Sequence, residues 1–192
     1  MKLLHLDSSI LGDNSASHAI GAAVVARWQD AIPGLRVTHR DLAARPLPHL
    51  SGGSLAGSDP SEAAEAERVM QEFLGADVLV VGAPMYNFGV PSTLKAWIDR
   101  IAVAGKTFRY TESGPQGLAG GKKVVIASSR GGFHQHNGAD FQEAYLRQVF
   151  GFLGITDIEI VRAEGLAVSP EQRTASMASA YASIGVPLAE AA

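Results

Sequence analysis

The chain has 192 residues, of which 46% are apolar and 18% are charged, and its formal net charge at pH 7 is −3. This composition fits one globular domain and excludes a disordered chain, while the small net charge argues against a nucleic-acid-binding surface. Cysteine is absent, which excludes disulfide scaffolds, thiolate zinc sites and cysteine nucleophiles. Any redox chemistry must therefore come from a bound cofactor.

The sequence also lacks signals for a membrane or for export. No apolar stretch approaches the roughly 20 residues that a spanning helix needs, and Asp7 interrupts the N-terminal apolar run before a signal-peptide core develops. We therefore expect a cytoplasmic protein that forms a single domain over residues 1–192, with neither membrane nor nucleic-acid partners.

Five short apolar runs predict β-strands, and segments with helical periodicity alternate with them. The predicted strands are 2–8, 36–42, 77–84, 122–129 and 157–165. The predicted helices are about 16–31, 61–75, 91–105, 140–153 and about 170–184. Ser61 is the predicted N-cap of the second helix, and Gly105 is the predicted end of the third.

This alternation predicts an α/β fold, in which parallel strands joined by helical crossovers form a three-layer sandwich. Five strands fit the flavodoxin-like order 2-1-3-4-5. Ligands of such sheets bind beyond the carboxyl ends of the strands, near the point where strand order reverses. We therefore looked for binding residues after strands 1, 3 and 4.

The loop after strand 1, residues 7–17, combines four serines with the start of a helix. Serine hydroxyls and the free N–H groups of a helix start are good donors to a phosphate. Ser9, Ser15 and Ser17 are the candidates for this role. The alternative is a polar loop in which Ser15 serves only as an N-cap, and this loop by itself favours that alternative.

The loop after strand 3 contains Met85, Tyr86, Asn87 and Phe88, which are unusual residues for a turn. The three large side chains can pack against a planar ring, and Asn87 can donate and accept hydrogen bonds in the ring plane. The alternative is a hydrophobic loop that fills the core. The position at the reversal of strand order favours a ligand.

The loop after strand 4 contains Ser129, Arg130, Gly131 and Gly132. Paired glycines let a backbone approach a ligand closely, and backbone amides or Arg130 could stabilise negative charge on a reduced flavin. A glycine turn with a solvated arginine is an equal alternative for this stretch alone. The three loops together fit FMN better than NAD, because the glycine fingerprint for a pyrophosphate is absent.

These motifs closely resemble the FMN-dependent NADH azoreductases, which are flavodoxin-like NAD(P)H:quinone oxidoreductases related to the acyl-carrier phosphodiesterases. The resemblance rests on "APMYNFGVPSTLKAWIDR", "TFRYTESGPQGL" and "SSRGGFH" and covers nearly the whole chain. It implies a homodimer with an active site between protomers and one FMN per protomer. It also implies a ping-pong reaction in which NADH or NADPH reduces flavin N5 before a quinone or azo compound takes both electrons.

The resemblance assigns FMN contacts to the same three loops and no side chain firmly to acid or base catalysis. The implied contacts are Ser9, Ser15, Ala16, Ser17, Met85, Tyr86, Asn87, Phe88, Ser129, Arg130, Gly131 and Gly132. Segments 42–60 and 105–121 are expected to shape substrate access, the second through a hairpin. His134 and His136 lack further ligands in the sequence, so no metal site is expected. Asp7 stands where we expected a basic or neutral residue.

Two other functions compete with the reductase. A flavodoxin-type electron carrier without its own substrate would share the fold, although such carriers resemble strongly acidic docking modules and this chain is only mildly acidic. A flavin-free hydrolase would need an activated nucleophile, and the sequence contains neither a G-x-S-x-G elbow nor a convincing Ser/His/Asp set. The sequence therefore favours the reductase.

Overall fold

The protein is described by a computed structural model over residues 1–134 and 138–185, in which strands and helices alternate. The strands are β1 Lys2–Asp7, β2 Arg36–Asp41, β3 Val78–Pro84, β4 Phe108–Thr111, β5 Gly114–Gly117, β6 Lys123–Ser129 and β7 Asp157–Ala163. The helices are α1 Ala16–Ala31, α2 Gly52–Ala56, α3 Pro60–Gly75, α4 Ser92–Ile101, α5 Phe141–Phe152 and α6 Pro170–Ser183. None of the helices in these ranges is long and apolar enough to cross a membrane.

Five strands form one parallel sheet in the order β2-β1-β3-β6-β7. This arrangement confirms the order 2-1-3-4-5 predicted for the five sheet strands. Strand β3 is buried over its whole length because it lies at the centre of the sheet with helices on both faces. The strand order reverses between β1 and β3, so the loops that follow these strands meet at one edge of the sheet.

The apolar core consists of two layers, one on each face of the sheet. Alternate residues of β3 point to opposite layers, as the period of a strand requires. Val78 and Val80 belong to the layer beneath α1 and α6, whereas Leu79 and Val81 belong to the layer beneath α3, α4 and α5. The predicted three-layer sandwich is therefore present.

Two helix boundaries differ from the sequence-based prediction. The N-cap of α3 is Asp59, whose Oδ1 accepts from the N–H groups of Ser61 and Glu62 at 2.8 and 3.2 Å. The prediction of Ser61 was wrong because Pro60 suits the first helical position, so the cap must precede it. Helix α4 ends before Gly105, which instead occupies a turn with φ +81°.

The segments 42–60 and 105–121 have their own local structure. The second forms the predicted hairpin, in which β4 pairs antiparallel with β5. The first contains α2, which was not predicted because its glycine and serine composition is typical of a loop. A capping box between Ser51 and Ser54 stabilises α2, and Ser54 also donates to Glu62 of α3 at 2.5 Å.

Candidate cofactor site

The carboxyl ends of β1, β3 and β6 lie side by side, and the loops that follow them surround a cleft of about 180 Å³. The residues of this cleft that the sequence predicted are Ser9, Ser15, Ala16, Met85, Tyr86, Ser129, Arg130 and Gly131. The remaining predicted residues, Ser17, Asn87, Phe88 and Gly132, do not line the cleft, although Ser17, Asn87 and Gly132 each directly follow a residue that does. The structure thus brings the three predicted loops together.

The fourth wall of the cleft comes from the β7–α6 connection and from α6, and the sequence analysis missed it. Its residues are Leu166, Ala167 and Arg173. The strand order contained a signal for it, because β7 is the neighbour of β6 and ends at the same edge of the sheet.

The start of α1 presents polar groups to this cleft. Ser15 is the N-cap, and its Oγ accepts from the N–H of His18 at 3.2 Å and lies 3.1 Å from the Oγ of Ser17. The N–H groups of Ala16 and Ser17 have no acceptor among the described residues. Two free N–H groups and two hydroxyls at a helix start form an anion-binding nest.

Arg173 adds a positive charge beside this nest. It lies in α6, far from the nest in the chain, and donates to the Asn14 carbonyl at 3.4 Å. The first loop, residues 7–17, contains neither lysine nor arginine, and the packing of α6 against α1 brings this arginine to it. The nest therefore combines neutral donors with one exposed guanidinium.

Residues 86–89 form a tight turn. The N–H of Tyr86 donates to the Gly89 carbonyl and the N–H of Gly89 donates to the Tyr86 carbonyl, each at 3.0 Å. The Tyr86 hydroxyl lies 3.1 Å from both the Ser9 Oγ and the Ile10 backbone nitrogen, and Met85 N–H donates to the Ser129 carbonyl at 2.8 Å. This turn is therefore fixed to both neighbouring loops.

The two central residues of the turn are left-handed, with φ +49° at Asn87 and +68° at Phe88. Such two-residue turns prefer Asn-Gly, so asparagine fits the first position and phenylalanine is strained at the second. A strained residue of this kind costs of order 1–3 kcal/mol, and such strain concentrates at ligand sites. The Phe88 side chain is 51% exposed, so it does not fill the core as the alternative interpretation required.

Arg130 is buried, and its side chain is bonded within the protein. Its Nη1 donates to Asp140 at 2.6 Å, and its Nη2 donates to the Ser128 hydroxyl at 2.6 Å and to Glu143. Burial alone would raise the pKa of Asp140, but the hydrogen bonds from Arg130 and from the N–H of Glu143 hold it below its ordinary value. Both terminal nitrogens of Arg130 therefore position the loop, whereas its buried Nε has no hydrogen-bond partner among the described residues.

The two glycines that follow Arg130 contribute backbone N–H donors. The N–H groups of Gly131 and Gly132 have no acceptor among the described residues, whereas their carbonyls accept from Ala167 and Gly165. A Cβ at Gly131 would lie 3.3 Å from the Ala167 side chain, so β7–α6 packing favours glycine there. Gly131 lines the same cleft as the start of α1, and Gly132 directly follows it in the chain.

Gln142 is a positioning residue that the sequence analysis missed. It is fully buried in the first turn of α5, and its Nε2 donates to the carbonyls of Ala83 and Pro84 at 3.0 and 2.7 Å. These bonds hold the end of β3, from which the 86–89 turn begins. A glutamine at a helix start has no sequence signal that would identify this role.

Asp7 lies behind the first loop and is enclosed by imidazole rings. The Nε2 atoms of His5 and His18 are 3.5 and 3.7 Å from its Oδ1, and that of His39 is 2.9 Å from its Oδ2. Burial would raise the pKa of Asp7, but these three histidines outweigh burial and hold it below its ordinary value. The carboxylate does not line the cleft.

His134 belongs to the edge of the site. Its N–H donates to Glu164 at 2.9 Å, and its ring lies edge-on to Phe88 with a centroid distance of 5.7 Å. His136, the other histidine considered in the sequence, lies outside the described residues. The ring of His134 therefore packs against the strained turn.

Several known proteins are similar to this chain in sequence. A family model described as a flavodoxin-like fold matches residues 1–186. The FMN-dependent NADH:quinone oxidoreductase of Stenotrophomonas maltophilia (strain K279a) is 62% identical over 184 residues, which cover 96% of this chain and 94% of that protein. FMN-dependent NADH:quinone oxidoreductase 2 of Pseudomonas aeruginosa (strain PAO1) is 58% identical over 203 residues, with all of both chains covered.

A solved structure shows the same similarity in three dimensions. The FMN-dependent NADH-azoreductase from Bacillus anthracis str. Ames Ancestor, in complex with FMN, matches with a TM-score of 0.88 and 25% identity over 96% of each chain. The family match and the two quinone oxidoreductases confirm the resemblance seen in the sequence motifs. The chain belongs to the flavodoxin-like family and, within it, to the FMN-dependent NADH:quinone oxidoreductases.

Proposed function

We propose that this protein is an FMN-dependent oxidoreductase that uses NADH to reduce quinones and azo compounds. The observation that carries the proposal is the pair of free N–H groups at Ala16 and Ser17, at a helix start that shares its cleft with the fixed aromatic turn. Free N–H groups at a helix start suit a phosphate, and a turn of large side chains suits a planar ring. The names of the relatives and of the FMN-bound neighbour support the same assignment.

The residues around the cleft fit the phosphate end of FMN. We assign the phosphate to Ser15, Ala16 and Ser17, with Ser9 at the side of the cleft and Arg173 as the countercharge. A dianion at this place would satisfy the free N–H groups of the helix start and would gain from the helix dipole. Asp7 does not oppose this assignment, because it lies behind the loop among histidines.

The residues also fit the ring end of FMN. We assign the isoalloxazine ring to the segment Met85–Phe88 and its polar edge to the loop Ser129–Gly132. The open N–H groups of Gly131 and Gly132 would donate to ring oxygen or nitrogen atoms. Gly131 lines the cleft, and without a side chain its backbone can approach a bound ring closely.

When bound, FMN supplies two-electron hydride transfer, which no side chain of this cysteine-free protein supplies. The protein's own contribution is to bind and orient. Gln142 holds the end of β3, the Tyr86 hydroxyl ties the aromatic turn to the first loop, and Arg130 holds the third loop through its carboxylate partners. We assign no side chain to acid or base catalysis.

We also propose that the chain acts as one FMN-binding domain and as a homodimer whose active site lies between protomers. The side chains of Phe88, Tyr110 and Phe141 are each more than half exposed. Exposed aromatic side chains of this size are typical of interaction sites. A cytoplasmic location would give the enzyme access to NADH, and the absence of cysteine is consistent with it.

The electron-carrier alternative shares the FMN site but predicts a different assay result. Purified protein supplied with FMN should bind the flavin and then consume NADH steadily when menadione or methyl red is added. A preparation that ignores added FMN would contradict the proposed site. A preparation that binds FMN but does not consume NADH with either acceptor would contradict the enzyme and favour the carrier.

A further inference from the structure

A second group of ligand-type side chains lies outside the cofactor cleft. His5 and Asp7 are alternate residues of β1, so they point to the same face of the sheet, and His39 of β2 is in register with His5. The ligand atoms of these three residues all lie within 4.8 Å of one another. Parallel pairing therefore brings together two imidazoles and a carboxylate that the sequence separates.

Two polar atoms of this cluster are buried and have no hydrogen-bond partner. They are the Nε2 of His5 and the Oδ1 of Asp7, which lie 3.5 Å apart, and both residues are more than nine-tenths buried. Such orphaned atoms are costly in a protein interior, because each has lost its hydration without gaining a partner. A cation between them would satisfy both.

Glycines on the neighbouring elements leave room for these atoms. A Cβ at Gly21 of α1 would lie 2.7 Å from the His5 Nε2, and a Cβ at Gly82 of β3 would lie 2.9 Å from the Asp7 Oδ1. Both positions thus exclude every other residue type unless the polar side chains move. The space around the orphaned atoms is therefore formed by β1, α1 and β3 together.

The geometry points to a divalent transition-metal site, formed by the Nε2 atoms of His5 and His39 and the carboxylate of Asp7, that binds Zn²⁺. Zinc takes imidazole nitrogen and carboxylate oxygen at about 2.0–2.2 Å, which places ligand atoms about 3.4 Å apart in a tetrahedron. The 3.5 Å separation of the His5 Nε2 and the Asp7 Oδ1 already matches this spacing. The His39 Nε2, which lies 2.9 Å from the Asp7 Oδ2, would exchange that hydrogen bond for the metal. Water fills the fourth position, because the His39 side chain is about half exposed and opens the site to solvent.

His18 is not one of the ligands. Its Nε2 lies 3.7 Å from the Asp7 Oδ1 but accepts from the N–H of Ser9 at 3.3 Å, so its lone pair is already used. A metal held by His5, Asp7 and His39 joins the edge strand β2 to β1 and fixes the residue from which the first cofactor loop begins. Metal binding should accordingly raise the melting temperature.

The experiment uses the full chain without a polyhistidine tag, after dialysis against a chelator. Isothermal titration with Zn²⁺ should show one tight site per chain, and Co²⁺ should give the visible absorption bands of a tetrahedral complex. His39→Gln should weaken Zn²⁺ binding by at least about 100-fold, since even second-shell changes cost 10–100-fold. His49→Gln, which removes an exposed histidine outside the cluster, should leave binding unchanged.

Asp7→Asn is a second variant, which keeps nearly the shape of the side chain but removes its charge. Thermal melts test whether each variant is folded. The proposal is overturned if the wild-type protein shows no site of this stoichiometry. It is equally overturned if His134→Gln abolishes binding while His39→Gln and Asp7→Asn retain it. None of these measurements uses the flavin, so their outcome is independent of the proposed oxidoreductase activity.

Discussion

At the residue scale, Ser15 and Ser17 occupy the same nest but differ in what they do for the fold. Ser15 caps α1, whereas the Ser17 hydroxyl forms a hydrogen bond only with Ser15 among the described residues. We expect Ser15→Ala and Ser17→Ala each to raise the Kd for FMN about 5- to 10-fold, which corresponds to about 1–1.4 kcal/mol for one hydrogen bond. Fluorescence titration with FMN measures this change.

Only Ser15→Ala should also lower the free energy of unfolding, by about 1 kcal/mol for the lost cap. Ser51→Ala is the matched control, because Ser51 caps α2 outside the cleft. It should reduce stability without changing the Kd for FMN. Equal FMN affinity in Ser17→Ala and the wild-type protein would remove Ser17 from the site.

Arg173 provides a separate test of where the phosphate lies. If it is the countercharge, Arg173→Gln should weaken binding of FMN by about 5- to 10-fold, as expected for a charge-assisted contact that is exposed to solvent. Binding of riboflavin, which lacks the phosphate, should not change. Arg36→Gln, at an exposed arginine of β2, is the control. Equal losses for both flavins would place Arg173 away from the phosphate.

At the element scale, the left-handed backbone of Phe88 strains the 86–89 turn, and we expect the fold to be more stable without this strain. In Phe88→Gly the left-handed backbone becomes unstrained, which should offset the greater freedom of glycine in the unfolded chain and raise stability by about 1 kcal/mol. The same change removes an aromatic side chain from the proposed ring site and should weaken FMN binding. Urea unfolding of the FMN-free protein and FMN titration measure the two effects.

Leu55→Gly is the control for this prediction. Leu55 is exposed like Phe88 but lies in α2, which has ordinary helical backbone, so glycine there should lower stability. A loss of stability in Phe88→Gly, with FMN affinity retained, would show that the strained residue is needed for the fold and not for the cofactor.

Local patterns explain why most elements were predictable. Buried strands such as β3 are continuous in apolar residues, and the helices show the 3.6-residue period, so the sheet order followed from their alternation. Helix α2 was missed because short capped helices in glycine- and serine-rich segments have no apolar period. The backbone of Phe88 was missed because phenylalanine is not a residue that indicates a left-handed turn.

At the scale of the whole molecule, buried ion pairs at the carboxyl edge link stability to pH. The pKa of Asp140 is below its ordinary value of 3.8, because its bonds to Arg130 and Glu143 N–H outweigh its burial. A depressed pKa means that the stabilisation is present above the ordinary value and is lost as the pH falls through the lower, folded-state value. Stability should therefore fall on acidification below about pH 4.

Asp140→Asn keeps the N-cap of α5 but removes the charge opposite Arg130. It should lower the free energy of unfolding by about 2 kcal/mol at pH 7. Stability should then fall less steeply on acidification than in the wild-type protein. Asp157→Asn, at an exposed ion pair with Lys123, should change stability much less. If the stability of Asp140→Asn fell with acidification as steeply as that of the wild-type protein, this pair would not link stability to pH.

The features that sequence reasoning missed at this scale are contacts between distant parts of the chain. Arg173 reaches the first loop only because α6 packs against α1, and His39 meets Asp7 only through the register of β1 and β2. The motifs correctly predicted that the three loops meet, because the carboxyl ends of neighbouring strands share an edge of the sheet. The order of residues does not indicate which arginine is buried and paired with carboxylates.

The central claim is that FMN binds where β1, β3 and β6 end. A crystal structure of the protein with FMN tests it most directly. We expect the phosphate within hydrogen-bond distance of the N–H groups of Ala16 and Ser17, and the ring against Met85–Phe88. An FMN whose phosphate lies at another helix start, or whose ring does not contact this turn, would contradict the account.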